Sequence, residues 1–170
     1  LNQLFTHNQL QETFGAIMLA LVGGVPRILN LKEMMQYYLD HQEEVIVRRS
    51  RFDLAKAKAR AHIVEGLRKA LDCIDEVIAI IRASRNNAKE RLMERFGFSE
   101  IQAQAILDMR LRALQGLERE KLDEEYRELI KTINYLEGVL ASEKRVRGIV
   151  KEELLQLQAK CGDERRTVIV

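Results

Sequence analysis

The stretch Val64-Glu65-Gly66-Leu67-Arg68-Lys69-Ala70-Leu71-Asp72-Cys73-Ile74-Asp75-Glu76-Val77-Ile78-Ala79-Ile80-Ile81 decides the fold. Its apolar residues Val64, Leu67, Leu71, Ile74, Ile78 and Ile81 are spaced three, four, three, four and three. The same rhythm returns at Leu122, Tyr126, Leu129, Ile133, Leu136 and Leu140, then runs through Glu143, Arg147, Val150, Leu154 and Leu157. A period of about 3.5 keeps one seam facing a partner helix, as in a coiled coil. The link between the stretches is compact, so each is the natural partner of the other, folded back antiparallel. The predicted fold is mainly α: a long antiparallel two-helix coiled coil with a small helical head at its tip.

Composition fits long solvated helices better than a thick globular core. Charged residues make up 32% and apolar ones 46%, with one proline, no tryptophan and 5% aromatics. The formal charge of +2 points to no polyanionic partner by itself. Locally, Arg48, Arg49, Arg51, Lys56, Lys58 and Arg60 stand against Asp53 alone. This stretch reads either as a solvated helix face or as a surface turned to a polyanion such as DNA. Cys73 and Cys161 fit no metal spacing, and Cys73 reads as a small buried hydrophobe near the seam. No signal peptide and no apolar run of about 18 residues is present, so a cytoplasmic location without membrane contact is expected. The absence of an initiating methionine and the strand-like Thr167-Val168-Ile169-Val170 read as ends cut from a longer chain.

Five segments follow. Residues 1–29 contain Ile17–Val22, Gly23-Gly24 and Val25–Leu29, a short β-hairpin with a two-residue turn and Pro26 at an edge. An isolated hairpin is marginal in water, so it is expected to complete a larger sheet. Residues 30–83 form the outgoing helix, opened by Asn30 and Glu33. In the head, 84–118, Asn86 and Asn87 cap a helix closed by Gly97. The capping box Ser99-Glu100-Ile101-Gln102 starts a second helix, expected to run to about Leu114 before Gly116 breaks it. Residues 119–160 return as one helix, and 161–170 form a strand-like segment.

Setting Ile81 beside Leu122 places Ile74 on Leu129, Leu67 on Leu136, and Arg60 on Glu143. The last pair is predicted as a polar layer that sets the register.

Catalytic signals are missing: there is no glycine-rich phosphate loop, paired-carboxylate cleft or Cys/His cluster. His62 reads as a flank of the seam, and Tyr126 and Tyr135 as packing residues. The second head helix is apolar on more than one face, so most of its sides need cover. Either the head and rod tip supply that cover, or part of the surface is a symmetric dimer contact. The second reading is adopted, with Gln102, Ile106, Leu107, Met109, Arg110, Leu111 and Leu114 at the contact.

Longer runs carry a resemblance: Gln9-Leu10-Gln11-Glu12-Thr13-Phe14, Leu29-Asn30-Leu31-Lys32-Glu33, Ala59-Arg60-Ala61-His62-Ile63-Val64-Glu65-Gly66-Leu67 and Gln102-Ala103-Gln104-Ala105-Ile106-Leu107-Asp108-Met109-Arg110-Leu111. With Gly116-Leu117-Glu118 and Gly162-Asp163-Glu164-Arg165-Arg166-Thr167, they resemble the A subunits of bacterial DNA gyrases, which are type IIA topoisomerases. The resemblance implies that 1–29 end a tower domain, that the long helices are coiled-coil arms, and that 84–118 is a dimerising exit gate. It implies a second copy of the chain, a gyrase B subunit in an A2B2 enzyme, and double-stranded DNA bound without regard to sequence. ATP and Mg2+ would act at sites outside this stretch, with no cofactor within it. The family's nucleophile is a tyrosine directly after an arginine, whereas Tyr37, Tyr38, Tyr126 and Tyr135 follow Gln36, Tyr37, Glu125 and Asn134. No catalytic or metal residue is therefore expected. The rival reading is a structural coiled-coil dimerisation protein with no DNA role.

Overall fold

The computed structural model describes residues 2–10, 12–84, 86–109 and 116–167, with side chains from residue 119 onward in the last segment. By its internal contacts the chain divides into Leu1–Glu44 and Val45–Val170.

The first unit holds a short helix α1 (Asn2–His7), strands β1 (Leu19–Val22) and β2 (Val25–Ile28), and the start of α2 (Leu31–Asp72). The strands pair antiparallel, Leu19 opposite Ile28 and Val22 opposite Val25. Gly23 and Gly24 have φ of 59° and 79°, the doubly left-handed turn that suits a right-twisted hairpin. Leu19, Leu21, Val25 and Ile28 are all exposed. A reciprocal capping box opens α2: the Glu33 N–H donates to Asn30 Oδ1 at 2.8 Å, and the Asn30 N–H donates to Glu33 Oε2 at 3.0 Å.

In the second unit α2 continues to Asp72, and α3 (Ile74–Ala83) follows after a turn at Cys73. The outgoing helix expected over 30–83 is thus interrupted. Cys73 leaves helical geometry at φ −123°, ψ 39°, and its thiol donates to the Lys69 carbonyl at 3.1 Å. A side-chain donor on the i−4 carbonyl competes with the backbone ladder and bends helices. Helices α4 (Ala88–Phe96) and α5 (Glu100–Leu107) then form the head. Gly97 closes α4 at φ 68°, as its sequence position foretold. The capping box at Ser99 forms with both of its bonds, while Asn87 caps α4 by position only, with no side-chain bond.

The return path also departs from expectation. Gly116 does not break a helix; it begins α6 (Gly116–Leu140). Helix α5 stops at Leu107, where the Met109 N–H turns back to the Ile106 carbonyl at 3.2 Å and Gln104 donates to the Asp108 carboxylate. Asp is a poor helix former because its carboxylate favours such local bonds. The single helix expected over 119–160 is two, α6 and α7 (Glu143–Cys161), parted by Ser142 at φ −142°, ψ 111°.

Three apolar clusters hold this unit. The head cluster contains Ala70, Val77, Leu92, Phe98, Ala103 and Ile106, edged by Leu67, Ile74, Ile80 and Ile81. A middle cluster joins Ala57 and Ala61 to Ile133, Leu129 and Ile130. The third joins Ile46 and Val47 to Val139, Val146 and Val150. The predicted register is therefore wrong. Leu67, Ile74 and Ile81 pack against the head cluster, and Leu129 packs with Ala57 and Ala61 rather than with Ile74. The head covers the tip of the outgoing helix, so the return helix meets its partner further back along α2.

Candidate functional site

The predicted polar layer does not form. The Arg60 guanidinium reaches Glu125, Nε donating to Oε1 at 2.6 Å and Nη2 to Oε2 at 3.0 Å. That two-pronged bond holds the Arg60 pKa above its ordinary value, against a smaller opposing effect of burial. Glu143 stands exposed in the first turn of α7.

The basic stretch divides by ion pairing rather than by helix face, since Arg49 and Lys56, like Arg51 and Lys58, are seven residues apart on one stripe of α2. Toward the return helix, Arg49 meets Glu153 at 3.0 Å and Lys58 meets Glu137 at 2.7 Å. Arg68 donates to Asp123 at 2.5 Å and stacks over Tyr126 at 4.6 Å, and Arg119 reaches Asp72. Within the stretch itself Glu153, Glu137 and Glu125 offset Arg49, Lys58 and Arg60. Arg51 and Lys56 are exposed and make no ion pair among the described residues, and Arg48 is also exposed. Between them Phe52 is 69% exposed. The five cations named from sequence thus separate into Arg49 and Lys58, which lace the arm, Arg51 and Lys56, which are exposed without an ion pair among the described residues, and Arg48, which is exposed but has a partner of its own.

The head sorts its predicted contact residues in the same way. Ile106 is 3% exposed inside the head core, with Leu107 packed at its edge. Gln102 is buried against α2, and Met109 is half-buried. Arg110, Leu111 and Leu114 lie outside the described residues. Ile101, absent from the predicted contact set, is 63% exposed on α5. Periodicity marks it as apolar, but only the packing of Ala103 and Ile106 against α2 and α3 shows which side of α5 is left uncovered.

His62 does more than flank the seam. Its Nε2 lies 2.7 Å from Ser99 Oγ, and Gln102 Nε2 donates to the His62 carbonyl at 2.7 Å. Lys69, two turns along the same stripe of α2, donates to the Phe96 carbonyl at 2.8 Å and sits over the Phe98 ring. Beside them opens a cleft of ≈ 220 Å³ lined by His62, Glu65, Gly66, Lys69, Gly97, Phe98 and Gln102.

No group of three or more His, Cys, Asp or Glu among the described residues is arranged to hold a metal ion. No helix among them is long and apolar enough to cross a membrane.

Comparison with known proteins gives one consistent result. The family model for the A subunit of DNA gyrase/topoisomerase IV matches residues 1–155. The DNA gyrase A subunit of Clostridium acetobutylicum is 57% identical over 99% of the chain, and that of Deinococcus deserti is 55% identical over the same share. The DNA gyrase A subunit of Staphylococcus aureus strain MRSA252 is 52% identical. The chain spans about a fifth of these relatives, 21% of the first two and 19% of the third.

Proposed function

The chain belongs to the family of DNA gyrase/topoisomerase IV A subunits, and we propose that it is the coiled-coil arm and exit gate of such a protein. On this reading α2–α3 and α6–α7 are the arm, 84–118 is the gate head, and 1–29 end the tower domain. Two heads meet, a transported duplex collects behind them, and it leaves when they part. ATP hydrolysis by a B subunit in an A2B2 enzyme drives the cycle toward negative supercoiling. The observation that carries the reading is a family match along the arm joined to a head whose α5 keeps Ile101 exposed beside a packed core.

The chain supplies no chemistry of its own in this scheme. None of its four tyrosines directly follows an arginine, and Tyr126 is engaged under Arg68. On this reading ATP and Mg2+ act at sites elsewhere in the enzyme. The DNA-facing part of the arm is the exposed pair Arg51 and Lys56, which offers charge without a means of reading bases.

The test is a photocrosslinking residue in place of Ile101 in the full-length protein within the A2B2 enzyme. Irradiation should yield covalent A–A product and stop supercoiling. The absence of A–A product would overturn the gate assignment.

A further inference from the structure

Gln102 and His62 lie where α5 meets α2, joined through hydrogen bonds that also take in Ser99. Gln102 Oε1 accepts from the Ser99 N–H at 3.0 Å, while Nε2 donates to the His62 carbonyl at 2.7 Å and approaches His62 Nδ1 at 3.4 Å. Ser99 Oγ accepts the Gln102 N–H at 3.3 Å and lies 2.7 Å from His62 Nε2. An amide nitrogen only donates, so the His62 carbonyl and Nδ1 are the acceptors it faces. The amide cannot turn over, because its oxygen would then abandon the Ser99 N–H.

The stem of Gln102 is held as firmly as its amide. It lies on Gly66, so close that a methyl group there would stand 2.6 Å from Gln102 Cγ. His62, Gly66 and Lys69 follow one another by four and three residues along a single stripe of α2. All named members of the head core lie on α2, α3, α4, α5 or the segments joining them, and none on α6 or α7.

We infer that Gln102, clamped between Ser99 and His62 over Gly66, is a positioning residue that pins the head to the outgoing helix. This rests on the gate reading above and adds to it: head and α2 travel together, and the gate parts by movement of the arms rather than by rocking of the head on its stalk. Gln102 thereby belongs to the junction within one protomer rather than to the contact between protomers.

The experiment uses the A2B2 enzyme with the photocrosslinking residue at Ile101, comparing the native junction with Gln102→Met and His62→Leu. Methionine keeps the length of the stem and removes the amide; leucine removes the ring and keeps the carbonyl that Gln102 uses. Hydrogen exchange in α4 confirms that the head remains folded. The A–A product should fall about tenfold in Gln102→Met, as expected for losing its two direct neutral bonds, and by less in His62→Leu. Equal product in all three enzymes would overturn the pinning role and leave the gate standing. No product even with the native junction would overturn the gate reading, and the pinning role with it. If Gln102→Met does not fold, His62→Leu decides: native-level product counts against the inference, and reduced product from a folded head supports it.

Discussion

Gly66 and Gln102 are complementary in shape: the space a glycine Cβ would fill is occupied by the Cγ, Cβ and Cδ of Gln102, at 2.6, 2.9 and 2.9 Å. The obstructing atoms are the stem of a side chain whose amide is already tied down, so they cannot swing aside. Gly66→Ala should therefore destabilise the chain by about 1–3 kcal/mol through overpacking, reduced by up to about 1 kcal/mol of helix propensity gained. In the Gln102→Ala background the penalty should shrink, because Cγ and Cδ are gone while Cβ still lies 2.9 Å from the added methyl group. Thermal melting of the four proteins measures the difference.

Gly138 gives the contrasting case. Its absent Cβ would meet only Arg145 Nη1, the far end of a flexible side chain, and Gly148 has open space. Gly138→Ala and Gly148→Ala should each stabilise by about 0.5–1 kcal/mol. A loss of melting temperature in either would mean that the arm uses the flexibility of these glycines.

Replacing Arg60 and Glu125 by alanine, singly and together, should give a coupling energy of about 0.5–1 kcal/mol. The pair has good two-pronged geometry, yet its side chains are 49% and 37% exposed, which limits its strength. Pairing Arg60→Ala with Glu143→Ala should give no coupling. Denaturant titration distinguishes the two cycles.

The cysteines should differ in reactivity. Burial, helped by the carboxylates of Glu76 and Asp72, pushes the Cys73 thiol above its ordinary pKa, outweighing the opposing effect of Lys69. A raised thiol pKa means less thiolate near pH 7.5, so alkylation slows and recovers as pH rises. Cys161 is exposed and should react faster at that pH. Mass spectrometry of peptides from briefly alkylated protein reads the ratio.

For the outward cations, Arg51→Gln with Lys56→Gln should lower the salt slope of DNA binding by the full enzyme by about 2, one for each lost phosphate contact. Lys58→Gln should change stability more than that slope, since Lys58 is engaged with Glu137. An unchanged slope in the double variant would return this face to ordinary solvated surface.

The two-helix arm, its head and the hairpin were legible because apolar spacing and turn residues act locally. Register was not, since heptads repeat and any shift by seven preserves the pattern. What settled it was the size of the head, which takes Leu67, Ile74 and Ile81 for its own core. The break at Ser142 did carry a signal: a serine followed by Glu143 is a helix start, but the heptad count drew Glu143 into the seam. The turn at Cys73 carried none. Within the candidate site, sequence showed that α5 is apolar around most of its girth, yet could not say which face the outgoing helix would claim. Ile106 and Gln102 consequently fell on the inner side and Ile101 on the outer.

Among the described residues the head core draws only on those between Leu67 and Leu107, which gives the molecule an order of assembly during synthesis. Its contacts are near neighbours along the chain, the kind that close quickly. The head can thus be complete while the ribosome is still making α6 and α7, which at ~5–20 residues per second takes roughly a few seconds longer. Through that interval Ile46, Ala57 and Ala61 on α2 wait uncovered for Val150 and Ile133. The nascent arm therefore emerges with its far end finished and its flank open, and α6 and α7 are what seal it.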